Sequence, residues 1–256
     1  IFLTTAISFK ALAHEYRMGY STVLLIVHET CSAIWKCLRP RVMPKPTAEL
    51  WTKVAKEFET QWNFSNCLGA IDGKHHVYIT APNKSGSSFF NYKHRFSIVL
   101  MCVADARRKI IMADIGSMGR FSDGNFFAVS EFGRRLQSSD LNLPQPKPLT
   151  QGGEPVPFVF IGDEAFPLSY NLLRPYPRDQ LDPSRRIFYY RLSRARRIIE
   201  ATFGVLKRKW YVYHKDFECQ VATVDKVVKA TCVLHNYLIE NNPDYLDQDN
   251  SDPLIR

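Results

Sequence analysis

Apolar side chains recur at helical spacing through the first 38 residues. Ile7, Ala11 and Leu12 mark one stretch, and Val23, Ile26, Val27 and Ile34 mark a second, as in helices with one buried face. Met18, Gly19 and Tyr20 form the turn between them, and Ser21 is placed to cap the second helix. The rhythm fits a helix-turn-helix whose second helix, opening at Ser21 and Thr22, faces a groove. The other account is an ordinary helical hairpin packed on a main domain. The scarcity of positive charge between Ser21 and Glu29 favours it.

Pro40, Pro44 and Pro46 read as a linker, and Thr47 caps a helix running to about Gln61. Extended runs follow. One spans Cys67 to Ile79. The run from Phe96 to Ala104 is almost wholly apolar, as a central strand is. Lys109 to Ile115 pairs with it across a short turn. Ser122 caps a helix through Phe126, Phe127, Val129 and Phe132. A Pro- and Gly-rich excursion covers 141–157, and Pro157 to Ile161 forms another strand. Helices at Arg191–Trp210 and Thr223–Asn241 come last, before an acidic tail expected to fray after Asn242. Antiparallel strands joined to a later strand flanked by helices predict a mixed α/β (α+β) layered fold. The organisation is a helical segment over 1–62, a main domain over 63–241 and a tail over 242–256.

With 45% apolar residues, the chain is rich enough for a sizeable core, which excludes a disordered protein. Six cysteines without a Cys-x-x-Cys pair look like buried thiols rather than a zinc site or a disulfide framework. No apolar run reaches the length of a membrane span. Charge changes the picture more. Of the net +9, +7 lies between Arg178 and Trp210, which suggests an anionic partner, although a solvated helix face also explains it.

Three acids stand in unusual settings. Asp72 interrupts an apolar strand, where a carboxylate is costly unless paired or bound to a metal. Asp163 follows the run from Phe158 to Gly162, at the carboxyl end of a strand, where sites are commonly built. Its blander role is to cap the Ala165–Phe166 turn. Glu200 borders the apolar stripe of Leu192, Ala195, Ile199, Phe203 and Leu206, and an ion pair with Arg196 would explain it locally. Carboxylates from distant elements suit hard cations such as Mg²⁺, and a basic surround suits phosphates. Adjacent His75 and His76 point to opposite faces of a strand, so zinc is disfavoured. Asp105, Asp114 and Asp123 are competing acids with structural explanations. That of Asp123, a charge at a helix N-terminus, is the least firm. The chain lacks the glycine-rich loops of nucleotide binding and the Gly-x-Ser-x-Gly elbow of hydrolases.

An ordered set of words carries a family resemblance. It runs through Gly69-Ala-Ile-Asp-Gly-Lys-His75, Asn91-Tyr-Lys93, Phe96-Ser-Ile-Val-Leu100 and Gly119-Arg-Phe-Ser-Asp-Gly124. It continues through Gly162-Asp-Glu-Ala-Phe-Pro-Leu168, Arg191-Leu-Ser-Arg-Ala-Arg196, Glu200-Ala-Thr-Phe-Gly-Val-Leu206 and Leu234-His-Asn236. Together they resemble the Harbinger/PIF transposases and the nucleases derived from them, the DDE superfamily 4 endonuclease domain. Tyr189 departs from that pattern, which usually has asparagine there.

The resemblance implies an RNase H-like core with Asp72, Asp163 and Glu200 as catalytic and metal-binding acids. It further implies two divalent ions (Mg²⁺ or Mn²⁺), Asp72 bridging them while Asp163 and Glu200 each hold one. Arg194, Arg196, Arg197, Lys207 and Arg208 become candidates for DNA phosphate contacts. A Myb-like DNA-binding partner, an oligomer and a nuclear location, with the cytoplasm as an additional one, are expected on the same ground. The rival reading is a domesticated, catalytically silent protein that binds DNA or other proteins.

Overall fold

The computed structural model describes residues 1–82 and 86–246, leaving out the side chains of His75, His76 and Ser117. The expectations about the two histidines and the end of the tail therefore fall outside the described residues. Five strands make the main sheet: β1 (Cys67–Tyr78), β2 (Ser97–Ala104), β3 (Ile110–Met118), β4 (Val159–Ile161) and β5 (Leu172–Leu173). Their order is β3-β2-β1-β4-β5. The first three are antiparallel, while β4 runs parallel to β1, and β5 parallel to β4. Every residue of β2 is buried, as the apolar run predicts for a strand covered on both faces. This mixed sheet with its helices is the α/β architecture expected of an RNase H-like core.

The helices are α1 (Phe2–Thr5), α2 (Phe9–Glu15), α3 (Tyr20–Val42), α4 (Ala48–Trp62), α5 (Asp123–Val129), α6 (Glu131–Gln137), α7 (Pro183–Lys209) and α8 (Val221–Asn241). Helix α4 places Trp51 and Phe58, both fully buried, under the sheet. Trp51 and Phe132 each meet Phe160 of β4 edge-on, with ring centroids 5.3 and 4.9 Å apart. Each such buried ring contributes roughly 1.5–3 kcal/mol through its area alone.

Several boundaries differ from the periodicity. Helix α3 is capped by Gly19 rather than Ser21, and it runs through Pro40 to Val42 instead of ending at a linker. Pro40 removes the bond its N–H would have made to the carbonyl four residues back, and the helix ends two residues later. Helix α3 lies along α8, as a packed helical hairpin would. Helix α7 begins eight residues before Arg191, because Asp182 accepts the Arg185 N–H at 2.8 Å and Pro183 occupies the first turn. The helix expected after Ser122 is two. Ser130 leaves helical geometry, and its Oγ caps α6 through the Gly133 N–H at 2.8 Å.

The Leu-His-Asn word is a structural clamp. Asn236 accepts the Ile110 N–H at 2.8 Å and donates to the carbonyls of Ile110 and Val42 at 2.7 and 2.9 Å. It thereby ties α8 to both β3 and α3. His235 Nε2 lies 2.8 Å from the Arg108 carbonyl, which can only accept, so that nitrogen carries the proton. Nδ1 then accepts from the Tyr245 hydroxyl at 2.9 Å. Tyr245 is buried, so the chain does not fray directly after Asn242. The cysteines make no disulfide among the described residues: Cys31, Cys67, Cys102 and Cys232 are buried, Cys219 is partly covered and Cys37 is exposed. No described helix is long and apolar enough to cross a membrane.

Candidate metal centre

Strand register brings the first two acids together. Ala70 of β1 stands opposite Ile161 of β4 in the parallel pair. Asp72 lies two residues beyond Ala70, and Asp163 two residues beyond Ile161. Parallel neighbours advance in the same direction, so equal offsets carry both carboxylates to the same end of the sheet. Asp72 continues within β1, opposite Cys102 of β2. Asp163 has left β4, and its Oδ1 accepts the Ala165 N–H at 2.9 Å. It therefore caps the following turn and faces the centre at once.

The third carboxylate is Asp123, in the first turn of α5. Asp72, Asp123 and Asp163 each offer an oxygen, and these three oxygens lie within 4.8 Å of one another. Glycines beside the acids make room. A Cβ on Gly73 would fall 1.9 Å from Asp123 Oδ1, and one on Gly124 would fall 2.4 Å from the Ala165 carbonyl oxygen. The start of α5 can nestle between β1 and the Asp163 loop only because both positions lack a side chain.

Electrostatics records the crowding. Burial first, then Asp123 and Asp163, push the Asp72 carboxyl up to about 7, against the opposing pull of Arg196 and the Gly73 N–H. Burial also raises Asp163, and Asp123 adds to the effect, while the Ala165 N–H and Arg196 work against it. Three clustered, partly buried carboxylates that repel one another form an all-oxygen donor set matched to a hard divalent cation. The residues fit such an ion.

Glu200 is not in this group. Its Oε1 sits 2.7 Å from Arg196 Nη2, one turn back along α7, and its side chain is 49% exposed. The local ion pair anticipated from the i, i+4 spacing is what forms. The five basic candidates divide across α7. At about 100° per residue, Arg196 and Lys207 border the same edge of the buried stripe as Glu200. Arg194, Arg197 and Arg208 border the opposite edge and are exposed. The first edge lies toward β1, where Phe203 meets Lys74, and Arg196 favours the charged forms of Asp72 and Asp163. Lys74, two residues past Asp72, feels both Lys207 and Glu200 and covers the Phe203 ring at 5.5 Å.

Asp105 and Asp114 serve backbone. Asp105 accepts the N–H groups of Arg107 and Lys109 at 2.8 Å each, and Asp114 accepts that of Phe132 at 2.9 Å. Asp123 is the acid of this cluster that local reasoning passed over, because its position also suits a helix N-terminus. Its signal is an adjacent glycine, the pairing also found at Asp72 and Asp163.

Residues 71–236 match the family described as DDE superfamily endonuclease. That span contains Asp72, Asp123, Asp163 and Glu200. "Protein ALP1-like" of Arabidopsis thaliana is 26% identical over 203 residues, covering 76% of this chain and 48% of the relative. The chain thus spans about half the length of that curated relative. No solved structure matches the chain. The family and the relative agree with the resemblance drawn from the sequence words.

Proposed function

Because this chain belongs to the DDE superfamily endonucleases, the Harbinger-type, transposase-derived group its sequence words resemble, we propose that it is a divalent-metal-dependent nuclease cleaving phosphodiester bonds in DNA. The observation that carries this reading is the convergence of Asp72, Asp123 and Asp163 oxygens within 4.8 Å. These aspartates would hold Mg²⁺ or Mn²⁺. Bound there, the cation supplies Lewis-acid polarisation of a phosphate oxygen and a water acidic enough to attack near neutral pH.

The protein's own groups position the substrate. Arg196, on the same edge of α7 as Glu200, would meet phosphate near the acids, and Lys207, about three turns further along that edge, would meet flanking backbone. Arg194, Arg197 and Arg208 on the other edge contact flanking backbone without reading sequence. Glu200, held by Arg196, is the candidate fourth carboxylate. A Myb-like DNA-binding partner and a nuclear location belong to the same proposal and rest on the resemblance.

The deciding experiment incubates the protein with duplex DNA in Mg²⁺ or Mn²⁺ beside Asp123→Asn, Asp163→Asn and Glu200→Gln variants. Metal-dependent cleavage by the wild type, lost in both aspartate variants, supports the site. Loss in Glu200→Gln adds that residue to the centre, and retained cleavage restricts the centre to the three aspartates. Binding without cleavage by the wild type would favour the silent DNA-binding alternative.

A further inference from the structure

The connection between β1 and β2 carries the Asn91-Tyr-Lys93 word and stands outside the three-aspartate centre. Residues 87–96 contain Lys93, His94 and Arg95 but no acid. Tyr92 at the tip is 72% exposed, and among the described residues no large apolar or aromatic side chain is more open. Lys93 Nζ lies 5.4 Å from the centroid of its ring.

The tip is braced from within. Asn91 is buried, and its Oδ1 accepts the N–H groups of Lys93 and Arg95 at 2.9 and 3.2 Å, while Nδ2 donates to Ser97 Oγ at 2.9 Å. The Asn91 N–H donates to the Arg95 carbonyl at 2.9 Å, and the His94 N–H to the Asn91 carbonyl at 3.0 Å. Beneath them, Phe90 meets Phe96 edge-on at 5.2 Å. The Arg95 guanidinium lies 3.5 Å over the Tyr78 ring and pairs with Asp216. A Cβ on Gly119 would fall 2.5 Å from the Phe89 carbonyl oxygen, so the chain after β3 closes against the base of the tip. A ligand stacking on Tyr92 therefore has little backbone to order.

Position ties the tip to the acids. Strand β1 passes Asp72 and ends at Tyr78, opposite Ser97. Six residues of strand cover about 20 Å, and the tip lies beyond the carboxyl end of β1, the direction in which parallel β4 delivers Asp163. At about 3.4 Å per step, DNA held at the aspartates reaches the tip within about six bases. Bases of any sequence stack on exposed aromatic rings, and cations beside such rings follow the backbone. Inside a duplex both faces of a base are covered by its neighbours, so a ring of this kind takes an unpaired base.

We propose that Tyr92 is a nucleobase-stacking site that takes an unpaired base of the DNA strand leaving the Asp72, Asp123 and Asp163 centre, with Lys93 on an adjacent phosphate. The inference rests on the nuclease reading and deepens it, because it assigns the substrate an unpaired segment beside the cleaved bond.

Binding of the full chain to a blunt duplex, and to the same duplex with a 3′ or a 5′ single-stranded extension carrying 2-aminopurine, tests it, with chelator or Ca²⁺ in place of Mg²⁺. The wild type should quench the 2-aminopurine emission of an extended DNA. Tyr92→Ala should bind that DNA about tenfold more weakly, lose less affinity for the blunt duplex and abolish the quenching. Tyr92→Phe should restore both affinity and quenching, and Lys93→Gln should weaken binding to every DNA. Equal losses by Tyr92→Ala on blunt and extended DNA, no loss at all, or wild-type binding without quenching overturns the stacking site while the nuclease reading stands. Unchanged binding by Lys93→Gln overturns the phosphate contact. Failure of the wild type to bind any of these DNAs overturns the DNA reading, and this inference with it.

Discussion

Gly73 and Asp123 approach so closely that a Cβ on the glycine would fall 1.9 Å from the aspartate Oδ1. They are 50 residues apart in sequence, yet one makes the space that the other fills. Gly73→Ala should drive the Asp123 carboxylate out of the centre. Overpacking of this kind costs about 1–3 kcal/mol. The expected result is a folded protein by circular dichroism whose Mn²⁺ binding is at least tenfold weaker. Wild-type affinity in Gly73→Ala would show that Asp123 contributes nothing to the site.

Asp72 should make the metal-free protein less stable as pH rises. Its carboxyl is held up to about 7 in the fold, against an ordinary value of 3.8, so the folded state binds the proton more tightly than the unfolded state. The contribution of Asp72 is then fully present below about pH 4, declines between about pH 4 and 7, and is gone above. Asp72→Asn removes the charged form and should stabilise the metal-free protein at pH 8 by about 1–3 kcal/mol, with little change at pH 4. Urea denaturation at the two pH values, in chelator, measures this. Adding Mn²⁺ should raise the wild-type midpoint and leave that of Asp72→Asn almost unmoved.

His235 should act with the opposite sign. Burial lowers its pKa to about 4 from 6.5, so the folded state resists the proton that the unfolded chain accepts. Its contribution is complete above pH 6.5 and is lost as pH falls toward 4. Replacing it with phenylalanine should flatten that part of the stability profile relative to wild type. The substitution also removes a hydrogen bond from the Arg108 carbonyl, which keeps Thr202 Oγ1 at 3.5 Å, and one from the Tyr245 hydroxyl, costing about 1–3 kcal/mol at pH 8. Parallel wild-type and variant profiles between pH 4 and 6.5 would refute the assignment.

Asn236→Ala should loosen α3 selectively. Its amide makes three hydrogen bonds, two to Ile110 and one to Val42. Losing them leaves buried backbone groups unsatisfied, at a cost of about 2–4 kcal/mol. Hydrogen exchange should accelerate through 20–42 and at Ile110 more than in β2. Uniform acceleration across the sheet would mean that Asn236 supports global stability only.

Much of the sheet could be read from the chain because its signals are local. The apolar run of β2, the turn before β3 and the strand ahead of Asp163 each follow from residues within a few positions. Helix α7 was harder, since Pro183 to Tyr190 is largely exposed and its apolar residues, Ile187 and Phe188, are adjacent rather than spaced at a helical interval. Only the Asp182 cap and Pro183 mark its start. The break at Ser130 was hidden because apolar spacing continues across it from Phe127 to Phe132, and a capping hydroxyl interrupts the backbone without interrupting the pattern.

By itself, the sequence determined that Asp72 lies on a strand and Asp163 just past the end of one, that α7 carries concentrated positive charge, and that Glu200 has an arginine one turn away. Those are properties of short segments. Tertiary structure decided which carboxylates meet. Parallel pairing of β1 with β4 set Asp72 beside Asp163, and the absence of side chains at Gly73 and Gly124 let α5 deliver Asp123. It left Glu200 with Arg196 instead. Local periodicity reports which face a residue occupies, whereas a site depends on long-range register and close backbone approach, which no short window of sequence contains.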